Sequence, residues 1–179
     1  RALFGSCLYV LEVLGRFGVE VTLVDGTDLD QWRNAVRADT KAVFLESVSN
    51  PTLEVIDVKS VAAIAHKVGA TVIVDNVFAT PTFSKAVELG ADVVVYSATK
   101  HIDGSGRCLG GVVCGTKQYI RKVLEPYLKH TGAAMSPFNA WVMLKGMETL
   151  DLRVRQQAAT AQMVAEKLSG HAKLVQVIY

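Results

Sequence analysis

The chain has 179 residues, with 19 Lys and Arg against 17 Asp and Glu, a formal net charge of +2, and half of its residues apolar. Charges of both signs are interspersed, leaving no basic field to grip a phosphate backbone and no acidic tail, so nucleic-acid binding and disorder are excluded as readings. A chain of this length buries roughly 70% of its unfolded surface, enough for a core that needs no staples.

No run of about 18 apolar residues is present to span a bilayer, and no charged, then apolar, then small-residue signal opens the chain. Cys7, Cys108 and Cys114 are odd in number and lack CxxC spacing, which supports neither a disulfide framework nor a zinc knuckle. The expectation is a cytoplasmic protein without a membrane or nucleic-acid partner. Arg1 at the start, and the apolar run Val175, Gln176, Val177, Ile178, Tyr179 at the end, predict a piece of a longer chain.

Helix-period and strand-like segments alternate, the pattern of a parallel sheet covered by helices and hence of an α/β fold. Residues 6–17 read as a helix that stops at Gly18, followed by an alternating strand from Glu20 to Val24. Asp28 caps a helix running to about Arg37, and Lys41 to Glu46 is a strand broken by Asn50-Pro51-Thr52. Asp57 caps a helix whose buried stripe is Val61, Ile64, Ala65 and Val68, with Gly69 as its stop. Thr71 to Val74 is apolar throughout, as a strand in the middle of a sheet requires. A helix from Phe83 to Leu89 and a strand from Asp92 to Tyr96 follow. Gly111 to Cys114 is a further strand, and Pro126 kinks or shortens a helix predicted from Lys117 to Lys129. From Ala140 to Ser169 the three-or-four spacing of apolar residues predicts one long amphipathic helix, with Gly146 as the place for a break. Residues 173–179 read as the strand that opens a second domain.

Ligands of parallel α/β sheets gather at the carboxyl ends of strands, which here carry Glu46 to Asn50, Asp75-Asn76, and Ser97 to Lys100. If the third strand stays extended, Ser97 and Thr99 point the same way and offer two hydroxyls to one anion. Lys100 at a buried strand end would be desolvated towards a nucleophilic amine able to form a Schiff base; the plainer reading is a lysine leaving the sheet for solvent. Asp75 is either a turn aspartate or the partner of a protonated ring nitrogen of a cofactor. Glu46 reads as a buried supporting acid or a strand-end charge. Arg107 reads as a surface loop arginine or a contact for an acidic substrate group. His66, His130 and His171 lack ligand spacing, and no metal site is expected.

The segments Val74-Asp75-Asn76-Val77-Phe78-Ala79-Thr80-Pro81 and Leu89-Gly90-Ala91-Asp92-Val93-Val94-Val95-Tyr96-Ser97-Ala98-Thr99-Lys100 resemble the signature of the pyridoxal-phosphate enzymes of cysteine and methionine metabolism, the gamma family of fold type I. The likeness extends through Glu46-Ser47-Val48-Ser49-Asn50-Pro51-Thr52 and Leu144-Lys145-Gly146-Met147-Glu148-Thr149-Leu150. It implies the large domain of an aminotransferase-like (type I) transferase, with pyridoxal 5'-phosphate as cofactor. It also implies residues 1–145 as the cofactor-binding domain, and 146–179 as a linking helix and the start of a further domain.

Residue by residue, the resemblance makes Lys100 the cofactor-bearing lysine and proton shuttle, and Asp75 the partner of the pyridine nitrogen. Ser97 and Thr99 match phosphate-binding hydroxyls, Asn50 the neighbour of the phenolic oxygen, and Phe4 the stacking aromatic. Many members carry Tyr where Phe4 stands, so only stacking carries over. Tyr96 replaces a usual His, and Val48 a usual Pro. The segment 103–111, Phe4, and Ser136 to Trp141 look most like the O-succinylhomoserine sulfhydrylase branch, implying gamma-replacement of succinate by sulfide on an amino-acid substrate. Eliminating lyases and cystathionine-forming synthases of the family share the same cofactor residues, and a non-catalytic α/β binding module is the reading from another class. The resemblance further implies a homotetramer built of catalytic dimers.

Overall fold

The runs Ala42–Glu46 (β1) and Thr71–Asp75 (β2), largely apolar as strands of a parallel sheet covered on both faces require, pair in parallel, Ala42 against Thr71 through Glu46 against Asp75. Val93–Ser97 (β3) adds to β2 in parallel, with Ile73 opposite Val93 and Asp75 opposite Val95. Gly111–Gly115 (β4) completes a four-stranded sheet in the order β1-β2-β3-β4. The computed structural model describes residues 2–179. These form two compact units, one of residues 2–96 and 113–132, the other of residues 97–112 and 133–179.

The first unit carries most of the sheet and its core. Gly5–Gly15 (α1) has Phe4 at its N-cap. Leu29–Ala35 (α2) is capped by Asp28, whose carboxylate accepts from Asp30 and Gln31 N–H. Val58–His66 (α3) is capped by Asp57, which accepts from Ser60 N–H. Both caps were legible as Asp before an apolar period, because each satisfies orphan amides of its own first turn. Val61 and Ala65 of α3 are fully buried with Val72 and Val74 of β2. Gly69 ends that segment at φ +74°, a left-handed conformation that favours glycine.

Three expected elements are absent from this unit or altered. Glu20–Val24 forms no ladder: residues 20–23 are exposed, and alternation alone cannot make a strand without a neighbour to pair with. The helix expected at Phe83–Leu89 is replaced by a short helix, Thr80–Phe83 (α4), and turns. Asn76 Nδ2 donates to the Ser84 carbonyl at 2.8 Å, and Glu88 N–H turns instead to the Lys85 carbonyl at 2.9 Å. The segment after β4 runs as Lys117–Tyr119 (α5), a wide π turn at Ile120–Leu124, and Glu125–Thr131 (α6). Pro126 sits in the first turn of α6, where its missing N–H is tolerated, and the adjoining turn widens to a Glu125-to-Ile120 bond.

In the second unit the long helix expected from Ala140 to Ser169 is two helices, Pro137–Met147 (α7) and Leu150–Leu168 (α8). The break falls just after Gly146, at Thr149, whose φ of −116° and ψ of 10° are not helical. Residues 173–179 form no strand; Tyr179 Oη instead donates to the Ala158 carbonyl of α8 at 2.6 Å. Among the described residues no helix is long and apolar enough to cross a membrane.

Candidate functional site

Because β1 and β2 pair in register, Glu46 and Asp75 end neighbouring strands side by side. Glu46 is 5% exposed, and each of its carboxylate oxygens is used. Oε1 accepts from Phe4 N–H at 2.8 Å and Oε2 from Asn50 N–H at 2.8 Å. One buried carboxylate therefore gathers two of the predicted site residues, separated by 46 positions of sequence, at the end of the sheet. Phe4 presents an exposed ring from the N-cap of α1, and Asn50 is half-buried before a cis Asn50-Pro51 bond. Glu46, undecided in the sequence, is the buried supporting acid. The signal for it was its place on the last residue of an apolar strand.

Asp75 is partly buried, and Oδ1 accepts from Val77 N–H at 3.0 Å. Burial pushes its carboxyl above the ordinary value, the Val77 amide opposes this, and the charge of Glu46 adds to it. The Cys7 thiol lies with these two carboxylates, the three candidate ligand atoms all within 4.8 Å of one another. Burial, then Glu46, then Asp75 raise the thiol above its ordinary value, so it stays protonated. Sequence reading missed Cys7, whose neighbours come from 39 and 68 positions away. A metal does not suit this trio, since both Glu46 oxygens and one of Asp75's already accept amide hydrogens. A protonated ring nitrogen does suit it: among the described residues of this unit no cation pairs with Asp75, and a carboxylate raised by burial is stabilised by the positive partner it lacks.

Asn76, next to Asp75, is fully buried and satisfied. Its amide donates to the Thr80 and Ser84 carbonyls and to Tyr96 Oη at 3.2, 2.8 and 3.1 Å, and its carbonyl accepts from Ser47 Oγ at 2.8 Å. It holds the strand ends in place around Asp75.

In the second unit, Ser97, Thr99 and Lys100 lie on one turn. β3 ends at Ser97, and Lys100 N–H donates to the Ser97 carbonyl at 3.1 Å, so the chain does not stay extended and alternation does not place Thr99. Thr99 Oγ1 instead pins Gly110, accepting its N–H at 3.2 Å and facing its carbonyl at 3.4 Å. Lys100 is exposed, and the buried setting expected of it is not supplied by these residues, because the turn carries it off the sheet as soon as β3 ends. Three residues on, Asp103 is 1% exposed and accepts from Ser105 N–H, Arg107 N–H and Arg107 Nε at 3.3, 2.7 and 2.8 Å. Those bonds, the Arg107 amide first, hold its carboxyl below the ordinary value against the pull of burial. The Arg107 guanidinium is thus occupied in bracing its own loop.

A family model for the Cys/Met metabolism PLP-dependent enzymes matches residues 1–179. The chain is 52% identical over its whole length to the O-succinylhomoserine sulfhydrylase of Mycobacterium tuberculosis, of which it covers 44%. It is 43% identical to the O-succinylhomoserine sulfhydrylase of Pseudomonas aeruginosa, again covering 44% of that protein. To the L-methionine gamma-lyase of Porphyromonas gingivalis it is 43% identical, covering 45%. Among solved structures, a cystathionine gamma-lyase from Lactobacillus plantarum complexed with L-serine superposes with a TM-score of 0.93 at 29% identity, over 98% of this chain and 46% of that one. The chain spans less than half the length of these relatives, yet every part of it is matched, and the fold agrees with the type I expectation. The chain belongs to the Cys/Met metabolism PLP-dependent enzyme family.

Proposed function

We propose that the protein carrying this chain replaces the succinyl group of O-succinylhomoserine by sulfide, giving homocysteine and succinate. In that reaction the Cγ–O bond breaks with its electron pair leaving on succinate, and a Cγ–S bond forms. The observation that carries the reading is the 52% identity, over the whole chain, to a relative named for that activity. Pyridoxal phosphate, when bound, supplies the electron sink that makes the protons of the substrate's alpha and beta carbons acidic.

The chain's own residues divide the remaining work. A carboxylate at Asp75 keeps a proton on a ring nitrogen, which its partly buried setting, with no ion-pair partner among the described residues of its unit, supports. The Phe4 ring provides a stacking face, and Asn50 a polar neighbour for the phenolic oxygen. Glu46 fixes the backbone at both of those positions. Ser97 and Thr99 supply hydroxyls to the phosphate, and Lys100 Nζ takes the substrate's alpha proton and returns it further along the chain. In this reading, residues 146–179 lead out of the cofactor domain, and the protein is a cytoplasmic homotetramer of catalytic dimers.

Gamma-elimination is the second reading, favoured by the 43% identity to an L-methionine gamma-lyase. Supplying O-succinylhomoserine and sulfide separates the two: homocysteine with succinate supports replacement, whereas ammonia with a keto acid overturns it. A non-catalytic binding module would keep no visible absorbance once free cofactor is removed, and would give no borohydride-fixed adduct that Lys100→Ala abolishes.

A further inference from the structure

The turn that carries Lys100 ties up three carbonyls by itself. Lys100 N–H donates to the Ser97 carbonyl at 3.1 Å, Asp103 N–H to Ala98 at 2.8 Å, and Gly104 N–H to Lys100 at 2.8 Å. Of the carbonyls that remain, those of His101 and Ile102 are both reached by a single side chain on α8. Arg153 Nη2 lies 2.9 Å from His101 O and 3.5 Å from Ile102 O, and 2.8 Å from Gly146 O. Its Nε donates to Thr149 Oγ1 at 3.0 Å.

The junction of α7 and α8 is built to allow this. A Cβ at Gly146 would overlap the carbonyl oxygens of Ile102 and Asp103, so only glycine lets α7 approach the turn so closely. The non-helical Thr149 then restarts the chain as α8, placing Arg153 in its opening turns. The conspicuous motif Leu144 to Leu150 thus supplies the platform for one guanidinium. Arg153 Nη1 is buried with no hydrogen-bond partner among the described residues. An unpaired buried donor opposes folding, so the clamp persists against a penalty, as is expected where it supplies geometry more than stability.

We propose that Arg153 is a positioning residue for Lys100: by holding the His101 and Ile102 carbonyls it fixes the turn so that Nζ is presented in one orientation. The proposal rests on Lys100 being the cofactor-bearing lysine. Burial first, and then the Arg153 charge, hold the His101 imidazole below its ordinary value, with a Gln157 side-chain contact opposing. A fork donor is needed to reach several carbonyls at once, so Lys cannot replace Arg153 geometrically.

The test uses the whole protein that carries this chain, with Arg153→Met, Arg153→Lys and, as a stability control on the same helix, Val154→Ala, which truncates a buried core side chain. Pyridoxal phosphate is added to cofactor-free protein, and its attachment to Lys100 is followed by visible absorbance and by borohydride fixation with mass spectrometry; melting temperatures are taken alongside. Attachment in Arg153→Met should slow on the order of 100-fold, the loss typical of a small misplacement of a reacting group. Arg153→Lys should be slowed as well, with both Arg153 variants melting near the unsubstituted protein, and Val154→Ala should lose melting temperature but keep the rate. An unchanged rate in Arg153→Met, or an equal slowing in Val154→Ala, overturns the proposal. Failure of the unsubstituted whole protein to load Lys100 instead brings down the functional reading and this inference with it.

Discussion

Glu46 and Asp75 stand opposite each other at the ends of β1 and β2, two carboxylates side by side with contrasting partners. Glu46 receives two backbone amides that tie Phe4 and Asn50 to the sheet, whereas Asp75 receives one and keeps an oxygen for another partner. Within one register pair, one acid is committed to structure and its neighbour is left available for chemistry.

Removing Glu46 should therefore disturb two distant residues together. Glu46→Ala leaves two amides without acceptors and should cost about 3 kcal/mol in urea denaturation, while Glu46→Gln retains one acceptor oxygen and should cost about 1–2 kcal/mol. The Gln variant should also bring the Asp75 carboxyl closer to its ordinary value, since one cause of its rise is gone. Equal losses in the two variants would show that the amides are not held as described.

The pH dependence of Asp75 has a definite sign. Its carboxyl titrates above the ordinary value of 3.8 in the folded chain, so between that value and the folded one the native state holds more protons than the unfolded state. Its contribution to stability must then fall as pH rises through that window. In cofactor-free protein, Asp75→Asn should remove this decline, read as a flatter stability profile above pH 3.8.

Asp103 works in the opposite direction. Its three donors hold it below 3.8, so the stability it confers is present above that value and is lost as pH falls through the folded one. Asp103→Asn should lower the melting temperature at neutral pH and flatten the acid limb. A steep acid limb surviving in that variant would assign it to other carboxyls.

Two glycines should respond to alanine with opposite signs. Gly146→Ala forces a Cβ into the Ile102 and Asp103 carbonyls and should destabilise by about 1–3 kcal/mol. Gly15→Ala, at the end of α1 with nothing near a new Cβ, should stabilise by about 0.5–1 kcal/mol. Denaturant midpoints on both variants decide it.

Local chemistry explains what could be read ahead of the structure. The Asp28 and Asp57 caps, the Gly69 stop and the apolar strand at Thr71 act within a turn or two of themselves, so sequence spacing carries them. The strand expected at Glu20–Val24 and the helix expected at Phe83–Leu89 failed where a distant partner decides, the first for want of a neighbouring strand and the second because Asn76 takes the Ser84 carbonyl.

The candidate site divides along the same line. Sequence alone determined which residue types end the strands, and hence the α/β class, the family and the candidates Phe4, Asn50, Asp75, Ser97, Thr99 and Lys100. Only the tertiary structure decided that Glu46 joins Phe4 to Asn50, that Cys7 faces Asp75, that the chain turns before Thr99, and that Arg153 grips the turn after Lys100. The reason is physical: a carboxylate or a guanidinium takes whichever donors or carbonyls the folded backbone brings within hydrogen-bond reach, and those partners lie 42 and 52 residues away, beyond anything local periodicity encodes.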